Sequence, residues 1–293
     1  MKNRFFIFLC ILIGFIHNGL SQQDPQYTQY MYQVNLVNPA FAGTSENLGI
    51  GLISRIQWIG FDDAPKTVSL AMEGRLKNQV GAGFSVISDH NGPLSETWIS
   101  TDVSYHVQLS ETFSLSGGIK PGLSFYRAGL TQLELVEQND LAFGQDVNTT
   151  FFTLGAGFFL YSDNFYLGVA VPNFFEADYY SLKSNDQELE YGSEAQHLFV
   201  HSRYEWQINQ DVILKPSFLV KTALNAPWSF DTNLSVNLYG KFEPGISYRY
   251  EDAISGLILY HATDIMRLGF AYDYTLSDIE RPSLEAFVLF NFL

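Results

Sequence analysis

The sequence predicts an all-β chain: a transmembrane antiparallel β-barrel of about 14 strands, preceded by an irregular N-terminal arm that lies in the periplasm or plugs the barrel. Three observations carry this expectation. Apolar residues recur at every second position in one segment after another, and the apolar parity holds no Asp, Glu, Lys or Arg. Short and long connections alternate along the chain. The last segment, 282–293, alternates like a strand and has nothing after it. The partner that leaves no bare edge is then the first strand, and pairing the two closes a barrel.

Residues 1–21 read as a secretion signal. Lys2 and Arg4 give a positive start, an apolar run follows from Phe5 to Ile16, and Gly19 and Ser21 form a small-x-small site that makes Gln22 the mature N-terminus. The run is shorter than the roughly 20 residues of a spanning helix. Cys10 lies within it, so the mature chain has no thiol for disulfides, catalysis or metal binding. Removing Lys2 and Arg4 leaves 14 basic against 31 acidic residues, a net charge of −17. Such a balance excludes a nucleic-acid partner, whose phosphates need a basic footprint. Charged residues and aromatics each make up 16% of the chain, whereas about a quarter charged is usual for a soluble protein. The aromatics therefore need a cover other than water. After the signal no apolar run reaches 18 residues, so the membrane would be crossed by strands.

In chain order, residues 22–46 come first: rich in Gln, Asn and Tyr, interrupted by Pro25, Pro39 and Gly43, and without a sustained period, they form the arm. The barrel follows over 47–293. Leu48, Ile50, Leu52 and Ile56 open it, with Arg55 on the other parity; Val68, Leu70, Met72 and Leu76 then oppose Glu73 and Arg75. Val80, Ala82, Phe84 and Val86 oppose Gly81, Gly83 and Ser85, and Ile99, Val103, Tyr105, Val107 and Leu109 oppose Asp102 and His106. Phe113, Leu115, Ile119, Leu123 and Phe125 oppose Lys120 and Ser124. Phe152 to Leu160 and Phe165 to Val171 supply the sixth and seventh outward sets. Leu198, Val200, Tyr204, Trp206 and Ile208 oppose His201, Arg203 and Glu205, while Val212, Leu214, Phe218, Val220 and Leu224 oppose Lys215 and Lys221. Phe230, Leu234, Val236 and Leu238 oppose Asp231 and Asn233; Phe242, Ile246, Tyr248 and Tyr250 oppose Glu243 and Arg249. Ile254, Ile258 and Tyr260 oppose His261 more weakly, because Leu257 and Leu259 blur the pattern. Met266, Leu268, Phe270, Tyr272 and Tyr274 oppose Arg267 and Asp273, and Leu284, Ala286, Val288, Phe290 and Phe292 close the series opposite Glu285 and Asn291.

Parity alone does not separate this from a soluble sandwich. Connection lengths do. Tight links at 77–79, 109–112, 161–164, 208–211, 239–241 and 262–264 alternate with longer ones at 56–66, 128–147, 173–196, 222–228 and 275–282. Short periplasmic turns and longer external loops are what a membrane barrel requires. Trp58, Tyr161, Trp206, Trp228 and Tyr250 near strand ends suit its aromatic girdles.

No catalytic constellation, metal cluster or cofactor motif emerges. Residues 117–122 are Gly-rich with Lys120 but lie inside an alternating strand, without the helix start of a phosphate loop. His197 and His201 share a strand face four residues apart, about 13 Å, too far for one metal. Ser104 and His106 share a parity, weak ground for a hydrolase. The acidic loops are sharper. The first carries Glu134, Glu137, Asp140 and Asp146 with no basic residue, and the second Glu176, Asp178, Asp186, Glu188, Glu190 and Glu194 against Lys183. A solvated surface explains them; recruitment of a basic partner or calcium is the alternative, although neither shows an ordered calcium-ligand pattern.

Residues 24–31 (DPQYTQYM), 38–43 (NPAFAG), 55–58 (RIQW) with 65–67 (PKT), 166–168 (YLG) with 171–173 (VPN), 214–220 (LKPSFLV), 226–231 (APWSFD), 247–249 (SYR) and 269–274 (GFAYDY) are together similar to the PorP/SprF family of type IX secretion system membrane proteins from Bacteroidetes. Leu284 stands where that family often has His before the Glu of the last strand. The resemblance implies an outer-membrane barrel that assists export or surface attachment of one cargo bearing a conserved C-terminal domain, often a gliding adhesin. It also implies periplasmic contacts with other secretion components, and no enzymatic activity. Tyr27, Tyr30, Asn38 and Pro39 of the arm, Trp58, and Glu134, Glu137, Asp140, Glu176, Asp178, Glu188 and Glu190 of the loops are the expected partner-binding residues. A small-solute channel is the alternative function, and a barrel enzyme a third.

Overall fold

A computed structural model describes residues 25–132, 145–175, 178–184, 187–193, 196–223, 228–277 and 281–292. The expected signal, 1–21, lies outside them, as do Glu134, Glu137, Asp140 and Glu176.

The strands are β1 (Leu48–Ile56), β2 (Lys66–Lys77), β3 (Val80–Asn91), β4 (Leu94–Gln108), β5 (Ser114–Ala128), β6 (Val147–Tyr161) and β7 (Phe165–Val171). A separate antiparallel hairpin follows, β8 (Asp178–Ser184) with β9 (Gln187–Ser193). The second half comprises β10 (His197–Tyr204), continued by β11 (Trp206–Gln207), then β12 (Val212–Ala223), β13 (Ser229–Leu238), β14 (Phe242–Arg249), β15 (Ala253–His261), β16 (Met266–Thr275) and β17 (Ser283–Phe292). Each barrel strand pairs antiparallel with its neighbours in sequence, with β7 joined to β10 and β10 to β12. β1 pairs with β17 in unbroken register from Leu48 opposite Phe292 to Ile56 opposite Leu284. The result is a closed barrel of fourteen staves, as the alternation predicts, and the last strand takes the first as its partner.

Period-2 sorting sets which side faces out. Leu52, Val103, Ile119, Phe158, Ile246, Phe270 and Phe292 stand exposed on the outer wall, while Arg55, Asp102, Lys120, Asp231, Glu243, Arg249, Asp273 and Glu285 are buried inside it. Exposed phenylalanine and isoleucine are costly in water and stable in hydrocarbon, so this surface is a lipid face. Phe270 sits midway along β16. Phe270→Arg is expected to cost roughly 2 to 4 kcal/mol, read from urea-dependent unfolding in lipid bilayers; an unchanged midpoint would overturn its outward assignment.

The alternation of loop lengths needs one correction. β3 runs on to Asn91 and β4 begins at Leu94, so the link on the long-loop rim is only Gly92 and Pro93; the link after β14 is also short, at 250–252. Gly92 (φ 57°) and Glu251 (φ 56°) take the left-handed conformation that makes such tight links. The long loops are therefore confined to 57–65, 129–146, 172–196, 224–228 and 276–282. We take this rim as external and the opposite one, where β1 begins and β17 ends, as periplasmic.

Candidate functional site: the filled lumen and the external rim

The arm lies inside the barrel. With no period to support a helix or strand, it folds as three 3-10 turns, Tyr30–Tyr32, Val34–Leu36 and Pro39–Phe41. Pro39 opens the last turn, and Asn38 caps it by accepting from the Ala40 N–H at 3.0 Å. Tyr27, Tyr30, Met31, Val34, Leu36, Val37 and Ala40 are buried in one cluster with Ile53, Ala71, Phe159, Phe199, Leu219, Leu259, Phe287 and Leu289 of the wall. The interior is thus a mixed core rather than a uniformly polar lumen.

Polar anchors hold the arm at three levels. Near the external end, the Glu285 carboxylate accepts from the backbone N–H groups of Thr28 and Gln29, each at 2.9 Å. Arg55 pairs with Asp273 at 2.6 Å and Glu285 at 3.4 Å, and donates to the Thr28 hydroxyl at 3.0 Å. That hydroxyl in turn donates to Asp273 at 2.9 Å, and Tyr27 shares a 2.6 Å hydrogen bond with Ser69. At mid-height the Tyr30 hydroxyl accepts from Asn233 at 3.1 Å, and Lys120 bridges Asp102 at 2.8 Å and the Asn35 carbonyl at 3.0 Å. Closer to the periplasmic rim, where β14 begins, Tyr32 donates to Glu243 at 2.7 Å, which also accepts from Lys215 at 2.9 Å and Ser235 at 2.8 Å. Asn38 lies 3.2 Å from His201 and donates to the Phe158 carbonyl at 3.1 Å. Charges taken out of water require such pairing, and the arm supplies part of it.

At the periplasmic end, Gly43 turns at φ 75°, donates to Glu73 at 2.8 Å, and receives Arg75 on its carbonyl at 2.8 and 2.6 Å. The Ala42 carbonyl lies 2.5 Å from Ser104 Oγ, which donates to it, and 2.9 Å from His106 Nε2. The Ser104–His106 pair that the sequence offers as weak ground for a hydrolase thus holds main chain. Approach here is so close that a Cβ on Gly81 would sit 2.0 Å from the Ala42 oxygen. Gly81→Val is expected to push this end of the arm off the wall at a cost of roughly 1 to 3 kcal/mol; hydrogen exchange at Gly43 and Thr44 should accelerate, and unchanged protection would refute the contact.

Several expected partner-binding residues therefore sit elsewhere than on an accessible surface. Tyr27, Tyr30, Asn38 and Pro39 are buried in the lumen and bind the barrel itself. Trp58 is on the external rim at φ 50°, its N–H donating to Ser283 at 3.2 Å, in a loop whose Ile59 N–H donates to the Pro282 carbonyl at 2.8 Å. Asp178 begins β8, and Glu188 and Glu190 lie on β9. Asp146, outside the strands, accepts from the Thr131 N–H at 3.0 Å and hydroxyl at 2.8 Å, led by the backbone bond, and these hold its carboxyl below the usual range. Trp228 and Tyr250 stack at 5.7 Å on the same rim. Among the described residues no group of three or more His, Cys, Asp or Glu gathers as a metal site.

Sequence reasoning missed the inward apolar residues Ile53, Phe159, Phe199, Leu219, Leu259, Phe287 and Leu289. A signal was present: Leu257 and Leu259 blur the alternation of β15 because both point inward, 5% and 1% exposed, into a filled interior.

A sequence model described as type IX secretion system membrane protein PorP/SprF matches residues 19–290. No curated protein matches the chain. Among solved structures, the CymD monoaromatic hydrocarbon channel is 12% identical, with 89% of this chain and 92% of that chain covered, at a TM-score of 0.56. The Ralstonia pickettii toluene transporter TbuX is also 12% identical, with 88% and 92% covered and a TM-score of 0.52. At these identities the likeness is one of fold: an outer-membrane barrel.

Proposed function

Given that the chain belongs to the PorP/SprF family of type IX secretion system membrane proteins, we propose that it is the outer-membrane partner of one exported protein. Its role is to assist export or surface attachment of a cargo bearing a C-terminal domain, such as a gliding adhesin. The signal at 1–21 is removed on the way to the outer membrane, whose lipid covers the aromatic wall. Family membership implies association with other secretion components, and the rim carrying the short turns is the face they would meet. The chain has no catalytic role in this reading.

The observation that carries the proposal is the filled lumen. An arm anchored by Glu285 toward the external end and by Glu243 and Glu73 toward the periplasmic end occupies the space through which a solute would pass. A small-solute channel is the alternative function, and it requires that arm to leave. With the lumen occupied, recognition falls to the rims, and the external one carries the acidic loops.

Deleting the gene is expected to remove one large surface protein from the cell surface, as read by proteomics of the surface and the medium. An unchanged surface, together with stable solute-selective currents from the purified barrel in a planar bilayer, would replace the export reading with the channel one.

A further inference from the structure

We propose that the outer wall formed by the external ends of β1 to β5 binds a phosphorylated glycolipid of the outer leaflet. Its acyl chains would lie on the apolar wall and its phosphate on Lys66, His90 and Arg127. The inference needs only the barrel's place in the outer membrane and stands apart from the export reading.

Strand register builds the site in three layers. Leu52, Leu70, Val86, Ile99 and Leu123 are successive cross-strand partners from β1 to β5 and form an apolar row. Two residues higher on each strand, Ser54, Val68, Ser88, Thr97 and Phe125 are partners in the same way, and the Thr97 hydroxyl donates to Ser88 at 3.4 Å. Two residues higher again come Lys66, His90, Ser95 and Arg127. A shift of two residues keeps a side chain on the same face, so all three rows look outward. Lys66, His90 and Arg127 are exposed, and no salt bridge engages them among the described residues.

Charge is sorted by sign across this part of the wall. Asp89 bonds Thr67 and Glu96 bonds Ser124, both on the lumenal parity, while the cations of the same strands turn out. On the other barrel strands the lysines and arginines face the lumen, where they hold carboxylates, the arm or an aromatic ring. Toward the external rim on and beside β13 to β16, the outward positions hold Trp228, Tyr248, Tyr250, Tyr272 and Tyr274, and no Lys, Arg or His. The cationic row is therefore a feature of one side of the barrel and not of the girdle as a whole.

Height places that row at the headgroups. Lys66, His90, Ser95 and Arg127 stand 11, 10, 13 and 13 residues above the periplasmic ends of their strands. With a rise of about 3.3 Å per residue and a tilt of about 40°, they lie on the order of 25 to 33 Å above the periplasmic turns. The apolar band of such barrels is about 25 Å tall, so these side chains emerge just beyond it. Basic clusters at this level attract anionic lipid, and a guanidinium matches phosphate with two parallel hydrogen bonds. From the bilayer outward, the rows run apolar, hydroxyl-bearing and cationic. Acyl chains, a linking sugar and phosphate follow one another in that order in a phosphorylated glycolipid. Lys66 and Arg127 are three strands apart, about 14 Å, which suits a headgroup broader than a single phosphate.

The full chain, folded in zwitterionic detergent, is titrated with phosphorylated lipid A and with the same lipid A stripped of phosphate, and bound lipid is read by native mass spectrometry. The phosphorylated form is expected to bind roughly tenfold or more tightly. Lys66→Gln with Arg127→Gln should abolish that preference, and Trp228→Leu on the aromatic side should keep it. Equal binding of the two forms by the intact chain overturns the site. So does an unchanged preference in the double variant, with its fold checked by heat-dependent gel mobility. Displacement of the lipid by an equal concentration of inorganic phosphate would assign the row to free phosphate and overturns the glycolipid. If the double variant does not fold, Arg127→Gln alone decides, and a preference it leaves intact overturns the site. Each of these failures leaves the export reading as it stands.

Discussion

Deleting residues 25–44 should turn a blocked barrel into one that conducts. The arm fills the lumen with Tyr30, Met31, Val34 and Val37, and its main chain runs against the wall at Gly81 closely enough to leave no room for a methyl group. Without it, Arg55, Lys120, Arg203, Lys215, Glu243 and Asp273 line an aqueous interior of both charge signs. Water then satisfies groups that the arm had satisfied. In a planar bilayer the truncated chain is expected to carry a sustained ionic current, whereas the intact chain does not. Equal currents from the two forms would show that the arm is no barrier. The truncated barrel should also unfold at lower denaturant, because Ile53, Phe159, Phe199 and Phe287 lose their apolar partners.

Replacing Arg55 with methionine is the point change expected to cost most, about 3 to 5 kcal/mol. Arg55 is 2% exposed, and its loss removes the cation that pairs with both Asp273 and Glu285. Glu285→Gln should cost less, since the amide oxygen can still receive one of the Thr28 and Gln29 N–H groups and Arg55 keeps Asp273. The double change should cost less than the sum of the two. Urea titration of folded barrel in lipid measures all three, and strict additivity would mean that the groups do not form one network.

Much of the barrel was legible because lipid imposes a simple rule. A strand crossing hydrocarbon must sort charge to one parity, and residues such as Arg55, Asp102 and Glu243 report that sorting directly. The closure of β1 on β17 followed from it, as did the outward side of β17. Strand ends were less legible: Ile87 to Asn91 belong to β3 although the outward set seemed complete at Val86, because above the lipid a paired backbone tolerates polar residues on both faces. The arm's destination was the largest gap. Its NPAFAG stretch has no periodicity, and its fit depends on Gly81, Gly118 and Gly157 lying on three different strands, a convergence visible only in three dimensions.

The anchor at the external end of the arm draws on both edges that the barrel must bring together. Thr28 touches Arg55 of β1, Glu285 of β17 and Asp273 of β16, so its binding site exists only once the sheet has closed. Docking of the arm thereby depends on closure: an unclosed sheet lacks half the receptor for its own arm, and a barrel whose seam slips by one residue turns Arg55 or Glu285 into lipid and loses it. The hydrogen bonds that fill the barrel and those that span its seam are the same set.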